Sequence, residues 1–208
     1  MTTLADAVLS KAFSSVAKGL RPSGFEKAGK YKLYRSLDGV AWVLELQKSR
    51  DTTKTDIRYV IHYGVLAPAL FNGDDPRSAI LSDCHWQSRV SGEDGREIWL
   101  HVSPSTTVEE VTATLEEAIA KQVLPDLSAF RSEADLVHFW LAGKNRGLTA
   151  KQRWVGLGQL LAKLGRPDEV RWVLAEIEGT EKDDWQRRLS RRQILDFAKE
   201  QGLDLDEP

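Results

Sequence analysis

The sequence predicts an α+β protein, a mostly antiparallel sheet of about five strands covered on one face by helices and followed by a helical C-terminal extension. Three observations carry that expectation. Residues 40–65, VAWVLELQKSRDTTKTDIRYVIHYGV, have a sustained two-residue period. Val40, Trp42, Leu44 and Leu46, and after a polar turn Ile57, Tyr59, Ile61 and Tyr63, form one apolar face of a β-hairpin. Residues 4–20 place Leu4, Val8, Leu9, Ala12, Phe13, Val16, Ala17 and Leu20 on one helical stripe that needs a sheet to cover. From residue 149 onward the composition turns charged and helical, punctuated by Gly165, Gly179 and Gly202.

In chain order, Pro22 and Gly24 end the first helix, and Tyr31 to Arg35 reads as a short strand closed by the Asp38-Gly39 turn. After the central hairpin, residues 66–82 contain Pro68, Asn72, Gly73, Asp74, Asp75 and Pro76 and show no period. They read as a long loop, where function often resides. Residues 84–91 and 97–102 form a second hairpin, with Cys84, Trp86, Ser88 and Val90 on its core face and His85, Gln87 and Arg89 on the other.

Pro104 ends the sheet. Thr106 with Glu109, or Thr107 with Glu110, offers a capping box for a helix that turns Val108, Val111, Leu115, Ala118, Ile119 and Val123 inward. Pro125 restarts a helix, and Ser132 with Asp135 opens another through Leu141. The segment from Gly143 to Gly147 divides a domain over residues 1–142 from a helical region over 148–203, and Asp204 to Pro208 reads as a frayed end.

Composition narrows the functional classes. With 208 residues, 41% hydrophobic and 29% charged, the chain can bury a sizeable core, and its net charge of −2 provides no global attraction to nucleic acid or membrane. The apolar runs fall short of the ~20 residues of a membrane span. The single cysteine, Cys84, excludes an internal disulfide framework and, without an apolar leader, fits a cytoplasmic protein. No loop motif for nucleotides, nucleophile elbow or CxxC pair is present, so neither a cofactor nor a metal is expected.

The candidate chemistry lies on the sheet. His62, His85 and His101 all fall on strands and, with Arg89 as an electrophilic stabiliser, are the catalytic candidates if the rings converge. Their spacing matches no metal motif, and a structural role is the stronger reading. His138 lies within a helix and reads as a surface or capping residue. Cys84 and His85 are adjacent, so on a strand they point apart, and the thiol reads as a buried apolar filler beside Trp86 rather than a nucleophile. Gln47, Arg58, Gln87, Arg89 and Trp99 are the binding candidates, a set able to hydrogen-bond a carboxylate, a phosphate or a partner's side chains. Lys48 reads as a solubilising residue at a strand end. The basic run Lys182, Arg187, Arg188, Arg191, Arg192 and Lys199 interleaves with acidic residues, as in a solvated helix face with local ion pairs.

The ordered set Gly24-Phe25, Gln47-Lys48-Ser49, Gly64-Val65, residues 84–90 (CHWQSRV) and Leu124-Pro125 resembles domain of unknown function family 4304, over residues 4–140. The resemblance implies a bacterial α+β protein without an assigned activity, and does not reach the C-terminal helices. Tyr63 stands where the family pattern leads one to expect Asn before the glycine, so no role of that Asn carries over. Taken together, the expectation is a non-enzymatic protein-binding module using its polar sheet face. The alternative is a hydrolase or nuclease-like enzyme with a His/Arg site on that face. Another protein is the expected partner, and neither membrane nor nucleic acid is.

Overall fold

A computed structural model describes residues 4–53, 55–144 and 148–205. Helix α1 (Leu4–Leu20) is followed by strands β1 (Glu26–Gly29), β2 (Lys32–Ser36), β3 (Ala41–Lys48) and β4 (Ile57–Leu66), then β5 (Trp86–Arg89) and β6 (Leu100–Val102). Helices α2 (Val108–Ala118), α3 (Leu124–Ser128), α4 (Glu133–Leu141), α5 (Ala150–Lys163), α6 (Pro167–Thr180) and α7 (Asp184–Glu200) complete the chain. The fold is α+β, as the two periodicities require.

The sheet is antiparallel, in the order β1-β2-β3-β4-β5, with β6 also paired to β4. Its register places Trp42 opposite Val65, Leu44 opposite Tyr63 and Leu46 opposite Ile61, so the apolar alternation of both strands falls on one inner face. Helices α1 and α2 cover that face with Leu9, Phe13, Val16, Val111 and Leu115, all buried. Two long-range hydrogen bonds fix the cover: the Trp42 indole N–H donates to the Phe130 carbonyl at 2.6 Å, and the Tyr63 hydroxyl donates to Asp126 Oδ2 at 2.6 Å. Strand β1 has no strong sequence period, because it is a short edge strand with mostly exposed side chains.

The second hairpin departs from expectation. It forms only beside its turn, where Ser91 and Glu97 bridge, the Gly92 N–H donates to the Arg96 carbonyl at 2.9 Å and the Ile98 N–H to the Val90 carbonyl at 3.1 Å, while β5 and β6 themselves do not pair with each other. They lie end to end along one edge of β4, β5 beside residues 62–65 and β6 beside residues 57–59, because the ten residues of β4 are long enough to serve both.

The loop over residues 67–83 is not open. Its short helical turns lay Phe71, Ala79 and Leu81 over Tyr34, Ala41, Val43 and Leu66, forming a second apolar cluster on the outer face of the sheet. Cys84 belongs to this outer cluster and not to the inner face with Trp86, a correction to the strand pattern. Regular alternation begins only at Trp86, and Cys84 caps the preceding helical turn, so counting by twos fails there. Its neighbour His85 accordingly turns toward Trp140, with ring centroids 6.4 Å apart.

Thr107 with Glu110 forms the capping box of α2, and α2 continues through a π-helical turn at Ile119–Val123 into α3, so Pro125 does not restart a helix but lies within one unbroken helical run. Helix α6 runs past Gly179 to Thr180, whereas Gly165 and Gly202 adopt positive φ just after their helices. The proposed divider at Asn145 to Gly147, and Asp206 to Pro208 of the expected frayed end, lie outside the described residues. The apolar cluster beneath the sheet continues without a break through Trp140 to Leu157, Leu160 and Leu161 of α5 and on to Ile194 of α7.

At the other end of the sheet, Asp6 of α1 accepts hydrogen bonds from Lys30 and the Tyr31 hydroxyl, both at 2.8 Å, and from Lys48. Burial alone would raise the Asp6 pKa, but these donors pull it well below the usual carboxylate range. Lys48 therefore anchors the first helix, beyond the solubilising role its strand-end position suggests. Among the described residues, no helix is long and apolar enough to cross a membrane.

Candidate functional site

Successive cross-strand partners define rows on the outer face. Lys32 of β2 lies opposite Glu45 of β3, Glu45 opposite His62 of β4, and His62 opposite Arg89 of β5. Directly opposed side chains stand only about 5 Å apart at Cβ, so these four groups form one polar row. Beyond it Gln47 lies opposite Val60, and Arg58 opposite His101. The row on the other side, Tyr34, Val43, Gly64 and Gln87, is the one the loop cluster partly covers. The outer face is therefore largely closed: Lys32 Nζ donates to the Ala79 carbonyl of the loop at 3.0 Å, and Val60 and His62 are buried, so the open strip is left to the exposed Gln47, Arg58, Arg89 and His101.

The strip is mixed in charge. Arg89 pairs with Glu97, while Arg58 Nε and His101 Nδ1 each lie 3.5 Å from a carboxylate oxygen of Asp56. Trp99 precedes β6, two residues before His101, and is 39% exposed. Three binding candidates, Gln47, Arg58 and Arg89, thus belong to the open strip, Gln87 sits at the margin of the loop cluster, and Trp99 is exposed just before β6, outside the ladder that fixes the faces. Sequence reading did not single out Glu45 or Lys32, although the alternation through Gln47 places Glu45 on the same face.

The three histidines are not brought together. His62 and the residue paired with His101, Arg58, are four positions apart on β4, a separation of roughly 13 Å at the usual strand rise. His85 packs toward Trp140 on the helix side. Among the described residues, no group of three or more His, Cys, Asp or Glu side chains is placed to hold a metal ion. His138 is exposed on α4.

His62 is only 7% exposed, and its Nε2 is buried without a hydrogen-bond partner. Burial first, and the nearby Arg89 second, push its pKa down to about 4. Burial likewise lowers His85 to about 4, against a smaller opposing pull from Asp83. Glu45 is raised by burial, with Lys32 opposing. The thiol of Cys84 is pushed far above its ordinary value by burial, so it is not a ready nucleophile.

A pH dependence follows from the two rings. Each binds a proton in the unfolded chain near pH 6.5 but resists one in the fold until about pH 4, so the unfolded state holds more protons in that window. Stability should therefore fall as pH drops from about 6.5 toward 4, with a slope of up to about 1.4 kcal/mol per pH unit for each ring. Urea unfolding across this range checks it. A double His62→Gln, His85→Asn variant should lose most of the slope, and an unchanged slope would assign the acid sensitivity to other groups.

In the C-terminal helices, Arg187 and Arg191 reach Glu178 at 3.2 and 3.0 Å, and Arg188 reaches Asp184 at 2.7 Å. These contacts account for much of the basic run as pairing within and between α6 and α7.

The architecture defines a small antiparallel α+β protein with one sheet face closed by helices and the other largely closed by a loop. The chain belongs to the family described as a domain of unknown function (DUF4304), whose model matches residues 16–129. That match takes in the whole sheet and α2 and α3, and leaves α4 to α7 outside it. No curated protein and no solved structure matches the chain.

Proposed function

We propose that this chain is a non-enzymatic protein-binding module of the bacterial cytoplasm, with the open strip of the sheet as its contact surface. The observation that carries the reading is the pair of exposed arginines on the outer face, Arg58 and Arg89, together with Trp99, a large aromatic left 39% exposed just before the strand whose His101 lies opposite Arg58. Tryptophan and arginine dominate the energetics of protein interfaces when they are desolvated at the centre of a contact. The flat face of a sheet suits a broad partner surface better than it suits a small substrate. A partner offering carboxylates to the arginines and an apolar recess to Trp99 fits this surface, and exchange of Asp56 and Glu97 for partner carboxylates would provide specificity.

Binding should be lost from the surface without loss of the fold. A partner captured from the native host by the wild-type chain should be released about tenfold or more by Trp99→Ala and by the double Arg58→Glu, Arg89→Glu variant. The melting temperatures should stay close to wild type. Undiminished capture by both variants would mean that the sheet strip is the wrong surface.

A second reading, a hydrolase or nuclease-like enzyme, draws support from His62, whose buried imidazole stands between Glu45 and Arg89. It would use that row, since His85 and His101 lie elsewhere. Activity lost in His62→Gln while partner capture persisted would favour it.

A further inference from the structure

A cleft of about 420 Å³ lies between the segment that leads into β5 and helices α5 and α7, at the junction of the family domain with the C-terminal helices. Its volume is that of a small-molecule site. Asn72, Asp83 and His85 contribute from the first side, and Lys151, Gln159 and Gln193 from the second. Gln152 joins them from the first turn of α5.

The hydrogen-bonding sense of several of these groups is already set by the backbone. The Ala67 N–H donates to His85 Nδ1 at 3.1 Å, which places the ring proton of the neutral imidazole on Nε2 and makes that nitrogen a donor. The Gln152 Oε1 accepts from the Thr149 N–H at 2.9 Å and the Thr149 hydroxyl at 3.0 Å, so the amide nitrogen remains to donate. Lys151 donates to Gln186 and keeps its positive charge and further N–H groups. Asp83 uses Oδ2 to accept from the Ile80 N–H at 2.8 Å, leaving the lone pairs of its other oxygen.

The lining therefore offers donors and one cation opposite one carboxylate. A simple anion would meet Lys151 but also face Asp83, which is near enough to His85 to act on its proton affinity. A simple cation would have the converse difficulty. A molecule with a carboxylate and an ammonium group a few bonds apart satisfies both, and the remaining amides of Asn72, Gln159 and Gln193 each donate and accept. We infer that this cleft binds a polar, uncharged-side-chain α-amino acid, its carboxylate on His85, Lys151 and Gln152 and its ammonium group on Asp83. The site is separate from the sheet strip, so its failure would leave the protein-binding reading intact.

Calorimetric titration of the full chain with L-glutamine tests the assignment. Saturable binding at millimolar affinity or tighter is expected. N-acetyl-L-glutamine, which lacks the ammonium group, and L-glutamine α-amide, which lacks the carboxylate, should each bind about tenfold more weakly or worse. Asp83→Asn keeps an oxygen for the Ile80 N–H and should weaken L-glutamine binding by a similar factor with an unchanged melting temperature. Lys151→Met should do the same. Absence of saturable heat with L-glutamine would overturn the inference, as would equal affinity for the two analogues or full affinity in both folded variants.

Discussion

Replacing Gly64 by alanine is expected to destabilise the protein by roughly 3 kcal/mol or more, lowering the melting temperature by about 10 °C. A Cβ on Gly64 would stand 2.7 Å from the Trp86 carbonyl oxygen, 2.8 Å from Cys84 Cβ and 2.9 Å from Cys84 Sγ. Two of these three atoms cannot swing away, because one is backbone in the β5 ladder and another is the first side-chain atom of a buried residue. Relief would require β5 to move off β4, with loss of ladder hydrogen bonds. Adding Cys84→Ala removes only the sulfur, so the double variant should remain strongly destabilised. Gly179→Ala is the control, since a methyl group there meets nothing within 4 Å and the residue is helical. Helix propensity predicts a neutral to slightly stabilising change of up to about 1 kcal/mol at that site. Thermal and urea melts of the variants decide the matter, and a Gly64→Ala protein as stable as wild type would mean that the close approach of Cys84 is not part of the fold.

A chain ending at Leu141 is the second large perturbation. We propose that the sheet and its covering helices then still unfold cooperatively, but that the shortened protein self-associates. Helix α5 packs on α4, and its Leu157, Leu160 and Leu161 are fully buried in the cluster that contains Trp140. The truncation also removes Lys163, whose ammonium group lies 2.6 Å from the carboxylate of the buried Glu133. Baring even part of Trp140 would cost on the order of 2 kcal/mol and leave an apolar patch suited to association. Sedimentation should report the new oligomers, and the urea transition should remain single and steep. A broad or absent transition would place α5 to α7 in the same cooperative unit as the sheet, with no separable boundary near residue 145.

The motifs that mark the family acquire physical meaning in the fold. Gly24 has φ of +84° immediately before Phe25, a conformation that a side chain disfavours, and it lets the chain turn from α1 so that Phe25 is buried. Lys48 reaches back to Asp6, which ties the end of β3 to the first helix. Gly64 and the Cys84-His85-Trp86 segment meet at a single point, where absence of one side chain admits another. These residues read as requirements of the architecture, whereas the proposed contact surface rests on other positions such as Arg58 and Trp99.

The sequence by itself determined the fold class, the first helix, the central hairpin and the inner face of the sheet, because burial on one side imposes a period of two on strands and of nearly four on helices. It also determined the Ser132 start of α4 and the glycine stops at Gly165 and Gly202, which depend on local backbone chemistry. Only the tertiary structure decided what lies over the outer face. The loop over residues 67–83 has no period, since its few apolar side chains reach the sheet from irregular turns, and nothing local announces that Leu81 will bury Val43. The sides taken by Cys84 and His85 were also hidden, because alternation holds only where a ladder constrains the backbone, and both residues precede β5. The separation of His62, His85 and His101 follows from strand pairing between distant segments, and so does the row that joins Lys32, Glu45, His62 and Arg89. Register is a non-local quantity, set by which faces the rest of the chain can bury, and it assigned the neighbours of each polar residue on this sheet.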